Sequence, residues 1–381
     1  MGTLKRTPLF AAHQKLGARL VEFGGWEMPV QYSSIIDEHL AVRRAAGIFD
    51  ISHMGEVRVQ GSGAAAFLNH LLTNDINKLA VGQGQYTLMC NERGGAIDDL
   101  YVYRILPEEY LLVINASRIE PDVAWMEQQL QQWPEKASVQ LENISDRCGA
   151  VALQGPRVAE FIDRCFSGPS KGGTQVTRAS ALKKNQVAVY EFEGKTVYLG
   201  RTGYTGEDGF EIIAPSEAIE AIWNHVLAVG HAYCLQPAGL GARDTLRTEV
   251  CYPLYGHELD EQTTPLEAGL GFFVALEKPE FIGRSVLVEQ KKNGVTKKCV
   301  AFKMADRTAP PRPHYPIWSA GPQGRKIGEV VSGTQSPSLG IGIGMGYVPP
   351  NFAGPGSSFE VEVRGKRFPA SVVQKPILRK N

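Results

Sequence analysis

The chain has 381 residues, of which 43% are hydrophobic and 21% charged, and 40 basic residues balance 40 acidic ones. This length predicts two or three domains. The balanced charge excludes a global basic field of the kind that draws in nucleic acid or an anionic membrane. No apolar run is long enough for a signal peptide or a membrane span. We therefore expect neither a nucleic-acid nor a membrane partner.

The six cysteines and eight histidines are dispersed along the chain, and no CxxC pair occurs. This spacing predicts neither a disulfide scaffold nor a metal site. Scattered cysteines are typical of small core residues in a reducing compartment. We expect a cytoplasmic bacterial protein, or a mitochondrial-matrix protein if the chain is a processed eukaryotic form.

In chain order, strands and helices alternate through residues 33–140. Ser33 or Ser34 can cap the first helix, and Ser117 can cap the third, which Pro134 stops. The pattern β-α-β-β-β-α over about 50–140 predicts a split βαβ unit. Helices are predicted over 33–46, 64–72 and 119–132, and strands over 48–52, 57–59, the hairpin 86–104, and 110–114.

A second set of elements follows, and it has a similar make-up. Strands are predicted over 150–153, 187–191, 196–199 and 210–213, and helices over 155–165, 217–229 and 239–250. From 296 onward only short alternating runs remain, separated by Pro/Gly-rich turns, which is typical of an all-β barrel or jelly roll.

The predicted fold class is therefore α+β, with two interlaced ferredoxin-like units and a C-terminal β-barrel or jelly-roll-like domain. Residues 1–275 form the first region, with one subdomain at about 50–140 and another at 1–49 with 141–275. Residues 276–295 are a connecting helix or linker, and 296–381 are the β domain.

The hairpin over 86–104 is the first candidate for chemistry. Asn91 to Gly95 form its polar turn, and Asp98 and Asp99 follow directly. Aspartate is disfavoured in strands, and successive strand residues point to opposite faces. One carboxylate should therefore face inward, which is costly unless it is paired or used.

The segment 201–211, RTGYTGEDGFE, predicts a tight loop that enters a strand. It is either an ornate turn with a solvated carboxylate, or a corner where Tyr204 and Glu211 hold a flat ring. Arg243 is either in a surface or intrahelical ion pair in the neighbourhood of Asp244 and Arg247, or the partner of a ligand carboxylate. The acidic segment 254–269 is a solvated loop or a weak cation site. The glycines at 239–241 and 340–346 do not match a dinucleotide fingerprint.

Together these motifs closely resemble the T-protein family of the glycine cleavage system, over some 370 residues. The matching segments are RTPLF (6–10), FGGW (23–26), MPVQY (28–32), FDISHM (49–54), CNE through GGAIDDL (90–100), ALQGP (152–156), the Tyr204 loop, GLGARD (239–244), LYG (254–256) and SGTQSPSL (332–339). So many ordered motifs make chance similarity implausible.

The resemblance implies an aminomethyltransferase with a folate-binding body and tetrahydrofolate as co-substrate. Such an enzyme takes a methylene carbon from the aminomethyl-lipoyl group of a carrier, the H-protein. It releases ammonia and gives 5,10-methylenetetrahydrofolate and the dihydrolipoyl carrier. A carbon that loses ammonia to a folate nitrogen needs positioning and a nearby negative charge. We expect a monomer that meets the carrier transiently.

The resemblance also implies roles for particular residues. Asp99 matches the essential aspartate, and Asp98 is then an outward or structural partner. Tyr204 and Tyr86 would line the pterin and aminobenzoyl rings, and Glu211 would grip the amino-pyrimidine edge.

Two lesser pocket members are implied as well, Asn115 and Met54. Arg243 would be a counter-charge to a substrate carboxylate or to the approaching carrier; the sequence does not separate these two roles.

Two rival functions remain open on the sequence. One is a folate-dependent demethylase, or the folate half of a sarcosine or dimethylglycine oxidoreductase, which would also need a flavin domain. The other is a non-enzymatic folate-binding assembly factor for iron–sulfur clusters. Relatives of that second kind carry a Lys-Gly-Cys-Tyr-x-Gly-Gln signature, which this chain lacks.

Overall fold

The computed structural model describes residues 3–305 and 309–379. Within these ranges no helix combines the length and apolar character that crossing a membrane requires. The α-helices are α1 (Phe10–Lys15), α2 (Ile35–Arg44), α3 (Ala64–Leu71), α4 (Ile119–Gln132), α5 (Ile162–Cys165), α6 (Ser216–Gly230), α7 (Leu240–Glu249) and α8 (Arg284–Asn293).

The strands fall into two groups along the chain. Those before residue 240 are β1 (Arg19–Phe23), β2 (Trp26–Gln31), β3 (Ala46–Asp50), β4 (Gly55–Gln60), β5 (Gln83–Cys90), β6 (Ala96–Leu106), β7 (Glu109–Ile114), β8 (Gln140–Asn143), β9 (Cys148–Gln154), β10 (Gly172–Gly173), β11 (Val187–Phe192), β12 (Lys195–Gly200), β13 (Gly209–Pro215) and β14 (Leu235–Pro237). Those after it are β15 (Lys298–Met304), β16 (Pro316–Ser319), β17 (Lys326–Gln335), β18 (Gly342–Val348), β19 (Ser358–Val363) and β20 (Lys366–Val373).

Two sheets and a closed barrel organise these strands, and β14 with β3 in the larger sheet is a parallel pair. One sheet has the order β10-β11-β12-β13-β9-β3-β14, the other β5-β6-β7-β4-β8, and β1 pairs with β2 in a separate ribbon. The barrel closes in the order β15-β18-β17-β16-β19-β20. The predicted α+β class with a C-terminal β-barrel is confirmed.

Contacts divide the chain into two compact units. The first comprises the residues up to Thr87 together with Leu100–Arg243, and the second comprises Leu88–Asp99 and the residues from Asp244 onward. The core of the first unit packs α6, including Trp223, against the seven-stranded sheet around Phe210. In the second, Phe302 and Phe359 meet edge to face inside the barrel. The predicted domain boundaries at 275 and 295 stay predictions.

The predicted cap of α2 is confirmed, whereas the predicted cap of α4 and the single helix predicted over 155–165 are wrong. Ser34 caps α2, since its hydroxyl accepts the backbone N–H of Asp37 at 3.1 Å. Ser117 does not cap α4, because a 3₁₀ turn at Ala116–Arg118 leads directly into that helix. The helix predicted over 155–165 is two pieces, a 3₁₀ turn at Val158–Glu160 and the single-turn α5.

Glu56, on β4, is a buried carboxyl group whose two side-chain oxygens have no hydrogen-bond partner among the described residues. Burial raises its pKa well above the usual 4.5. Between the usual pKa of 4.5 and the raised pKa, the folded chain therefore holds a proton that the unfolded chain releases. The free energy of unfolding falls as pH rises through this range.

We expect Glu56→Gln to remove this loss of stability. Over the affected range the wild type should lose about 1.4 kcal/mol of unfolding free energy per pH unit, and the variant should not. Denaturant unfolding at a series of pH values measures both slopes. Glu127→Gln, at an exposed position on α4, is the control and should keep the wild-type slope. Equal slopes for Glu56→Gln and wild type would contradict the assignment.

Candidate functional site

Three predicted site residues meet in the first unit. β13 carries Glu211 opposite Gly200 of β12 and Ala152 of β9. The guanidinium of Arg243, on the first turn of α7, lies over the Tyr204 ring at 4.6 Å from its centroid. Stacking of this kind fixes the plane of a guanidinium while leaving its N–H groups available.

Glu211 and Arg243 perturb each other's ionisation. Burial raises the pKa of Glu211, and the Arg243 charge opposes that rise. Burial lowers the pKa of Arg243, and Glu211 and Tyr204 oppose that fall. Each group therefore favours the charged form of the other in a site that disfavours charge.

Three polar atoms around this pair are buried and have no hydrogen-bond partner within the described residues: Arg243 Nη1, His53 Nδ1 and the Tyr103 hydroxyl. Burial is the main cause of the shifted pKa of both His53 and Tyr103; in addition, Arg243 lowers the pKa of His53, which Asp50 opposes, and Glu211 raises that of Tyr103, so both residues interact electrostatically with the pair. Buried polar groups are normally satisfied, so such a cluster indicates a polar ligand.

His53 and Tyr103 hold their protons in defined ways. Burial lowers the pKa of His53 to about 4, so the imidazole is neutral near pH 7. Burial raises the pKa of Tyr103 well above 10, so its hydroxyl stays protonated. A β-carbon at Gly200 would lie 2.5 Å from that hydroxyl oxygen, which explains the glycine. The site thus offers a carboxylate, a cation, an uncharged ring nitrogen and a hydroxyl.

Sequence reasoning missed His53 and Tyr103 as site residues. His53 stands inside the FDISHM segment next to Met54, and Tyr103 lies on the hairpin strand β6. Both were within stretches already singled out. No local signal distinguishes them from core residues with hydrogen-bond partners, because their surroundings are set by residues that are distant in the sequence.

The remaining predicted pocket members of the first unit lie in separate elements. Met54 follows β3 in a turn, where its N–H donates to the carbonyl of Ile51 at 3.0 Å. Tyr86 lies on β5 and Asn115 directly after β7. All three are partly buried, and their place in the pocket stays a prediction.

In the second unit, side-chain hydrogen bonds stabilise the hairpin turn. The Asn91 side chain accepts the N–H groups of Arg93 and Gly95 at 3.0 and 3.1 Å and donates to the Glu261 carbonyl at 3.0 Å. Gly94 has φ +79°, and a β-carbon at Gly95 would lie 1.9 Å from the Glu261 carbonyl oxygen. Gly94 therefore allows the turn conformation, and Gly95 allows the Glu261 backbone to approach closely.

The two adjacent carboxylates differ in exposure as alternation requires, but Asp98 is the buried one. Its exposure is 0%, whereas Asp99 is partly exposed. The interpretation of Asp98 as outward is therefore wrong, and its structural alternative remains. The assignment of Asp99 as the catalytic residue stays a prediction.

Ion pairing on α7 differs from one predicted alternative. Asp244 pairs with Arg247 at 2.7 Å, rather than with Arg243. Arg247 also donates to Glu258 at 3.1 Å, and both side chains are buried. Glu258, in the acidic segment, thus forms a buried ion pair and is not a solvated loop residue. Among the described residues no three His, Cys, Asp or Glu side chains are grouped as a metal ion would require.

Comparison with known proteins gives two family matches that together span most of the chain. The GCVT N-terminal domain matches residues 9–278. The glycine cleavage T-protein C-terminal barrel domain matches residues 297–378, the region of the closed barrel.

Curated relatives and a solved structure agree with these matches. The chain is 45% identical over 378 residues to an aminomethyltransferase of Desulfitobacterium hafniense strain DSM 10664 / DCB-2, with 98% of each chain covered. It is 46% identical over 380 residues to an aminomethyltransferase of Lysinibacillus sphaericus strain C3-41, with 99% of each covered. The crystal structure of glycine cleavage system aminomethyltransferase T from Bartonella henselae superposes with a TM-score of 0.89 at 32% identity, over 99% of this chain and 98% of that one.

Proposed function

This chain belongs to the glycine cleavage T-protein family and is an aminomethyltransferase, and we propose that tetrahydrofolate accepts the carbon it transfers from an aminomethyl-lipoyl carrier protein. In the reaction the carbon loses its bonds to sulfur and to the amino nitrogen. It gains bonds to N5 and N10 of the folate. The products are ammonia, the dihydrolipoyl carrier and 5,10-methylenetetrahydrofolate.

The cluster around Glu211 is the observation that carries the proposal. A pterin presents several N–H groups and acceptor atoms on a flat ring. Glu211 can accept a pair of parallel N–H bonds, and Tyr204 offers a ring face. The unpartnered atoms of Arg243, His53 and Tyr103 supply further polar contacts of the kind that such a ring would satisfy.

Asp99 is proposed as the residue that acts on the reacting carbon. Between the breaking of its bond to one leaving group and the formation of its second bond to folate, that carbon carries iminium-like positive charge while it is bound to nitrogen, and a fixed carboxylate stabilises this charge as it develops. The same carboxylate can orient the N5/N10 side of the folate and exchange a proton there. Tyr86, Asn115 and Met54 are proposed as further contacts to the folate.

The proposed partner is a lipoylated carrier protein that docks transiently on a monomer in the cytoplasm. The reaction needs no metal and no nucleic acid or membrane. Arg243 is proposed to balance a ligand carboxylate or the charge of the approaching carrier.

The test is methylenetetrahydrofolate formation from purified protein, tetrahydrofolate and aminomethylated carrier. We expect one methylene transferred per carrier with equimolar ammonia. Dimethylsulfoniopropionate and glycine betaine serve as methyl-donor controls and should give no 5-methyltetrahydrofolate, the product that methyl transfer would form. Turnover with a methyl donor but not with the carrier would replace the proposal with a demethylase.

A further inference from the structure

The loop that carries Tyr204, residues 201–208, is clamped by side chains from two distant segments of the first unit. Gln154, at the end of β9, donates its amide N–H to the Thr202 carbonyl at 3.0 Å. Its amide oxygen accepts the Thr205 hydroxyl at 2.8 Å. One side-chain amide therefore holds the residues on both sides of the Gly203–Tyr204 pair.

Arg43, from α2, is the second residue that binds the Tyr204 loop. Its Nη1 donates to the Thr205 carbonyl at 2.7 Å and to the Glu207 carboxylate at 2.8 Å. The Arg43 and Glu207 side chains are only 9% and 6% exposed. Burying such an ion pair costs desolvation energy, and removing one partner leaves an unpaired buried charge. The pair therefore fixes geometry more than it adds stability.

Packing around the amide leaves the loop little freedom. Gln154 and Thr205 are both 0% exposed, and the Glu207 N–H donates to the Thr205 hydroxyl at 3.1 Å. A β-carbon at Gly203 would lie 1.9 Å from the Gln154 amide oxygen. The Thr205 hydroxyl is thus both a donor and an acceptor in one closed network.

We propose that Gln154, Arg43 and Thr205 are positioning residues for the folate ring, acting through Tyr204. This rests on the proposed function, because it takes the Tyr204 face as part of the folate site. A loop held in its binding conformation before the ligand arrives spares the ordering cost at binding. The hydrogen bonds of Gln154, Arg43 and Thr205, here called the clamp, should therefore affect the affinity for tetrahydrofolate and not the rate of the chemical step.

The test compares Thr205→Val, which removes the hydroxyl at nearly constant volume, with Thr205→Ser, which keeps it. We expect Thr205→Val to weaken tetrahydrofolate binding about tenfold, with kcat at saturating folate within about twofold and faster amide exchange over 202–208. Thr205→Ser should restore the affinity. Thr248→Val is the matched control, because Thr248 is equally buried and its hydroxyl donates to the Asp244 carbonyl at 2.7 Å.

A double-mutant cycle with Tyr204→Ala separates positioning from general destabilisation. If the clamp acts through Tyr204, Thr205→Val costs no further affinity in the Tyr204→Ala background. An equal loss of affinity in both backgrounds, or a lowered Tm with unchanged affinity, overturns the proposal. Calorimetry with tetrahydrofolate needs no carrier, so these results stand whether or not carrier-dependent transfer is observed. Absence of transfer by a wild type that binds folate would instead contradict the proposed reaction.

Discussion

Replacing Asp99 by asparagine should abolish carrier-dependent methylene transfer while leaving tetrahydrofolate affinity within about tenfold, or about 1.4 kcal/mol. The amide keeps the size of the side chain and its place on β6, but removes the negative charge. The transferred carbon is positive only on the way to product, so the loss should appear in kcat and not in binding. Single-turnover transfer and calorimetric affinity measure the two effects separately.

Glu92→Gln is the matched control for this variant. Glu92 is an exposed carboxylate in the same hairpin turn, so its neutralisation changes the charge of the hairpin without touching β6. It should keep wild-type transfer. Full activity in Asp99→Asn, or an equal loss in both variants, would remove Asp99 from the catalytic role.

The parts of the fold that the sequence predicted are those encoded by local patterns. α4 begins and ends at the predicted residues, because its amphipathic run is long and Pro134 stops it. The sequence gives no signal for β16, since Pro316–Ser319 is four residues long and gains its partners only through barrel closure. The pieces in 155–165 were read as one helix because Gly155-Pro156 is a common helix opening.

The site divides along the same line. Tyr204, Glu211 and Arg243 are predicted from the sequence because their segments carry unusual residues for a strand, loop or helix. Their mutual contacts were not predictable, since Arg243 and Tyr204 are distant in sequence and meet only once the first unit is folded. The role of Gln154 in holding the Tyr204 loop could not be predicted for a related reason, since its partner Thr205 is 51 residues away. A buried glutamine has no signature of its own.

Glu211→Gln should weaken tetrahydrofolate binding on the order of 10–100-fold, since hydrogen bonds to a charged acceptor are worth about 1.5–3 kcal/mol. The amide can accept at one position only, so one of two parallel N–H bonds from the pterin is lost. Calorimetry measures the affinity, and Glu127→Gln, exposed on α4, should leave it unchanged. Unchanged affinity in Glu211→Gln would show that this carboxylate does not hold the ring.

The pH dependence of binding tests the same pair more sharply. Because burial raises the Glu211 pKa, wild-type affinity should fall as pH drops through that raised pKa, at a higher pH than for an ordinary glutamate. Glu211→Gln should show no such fall. Arg243→Met removes the charge that opposes the rise, so the fall should move to still higher pH, whatever the change in affinity itself. A midpoint that stays in place, or moves down, would mean that Arg243 does not stabilise the Glu211 carboxylate.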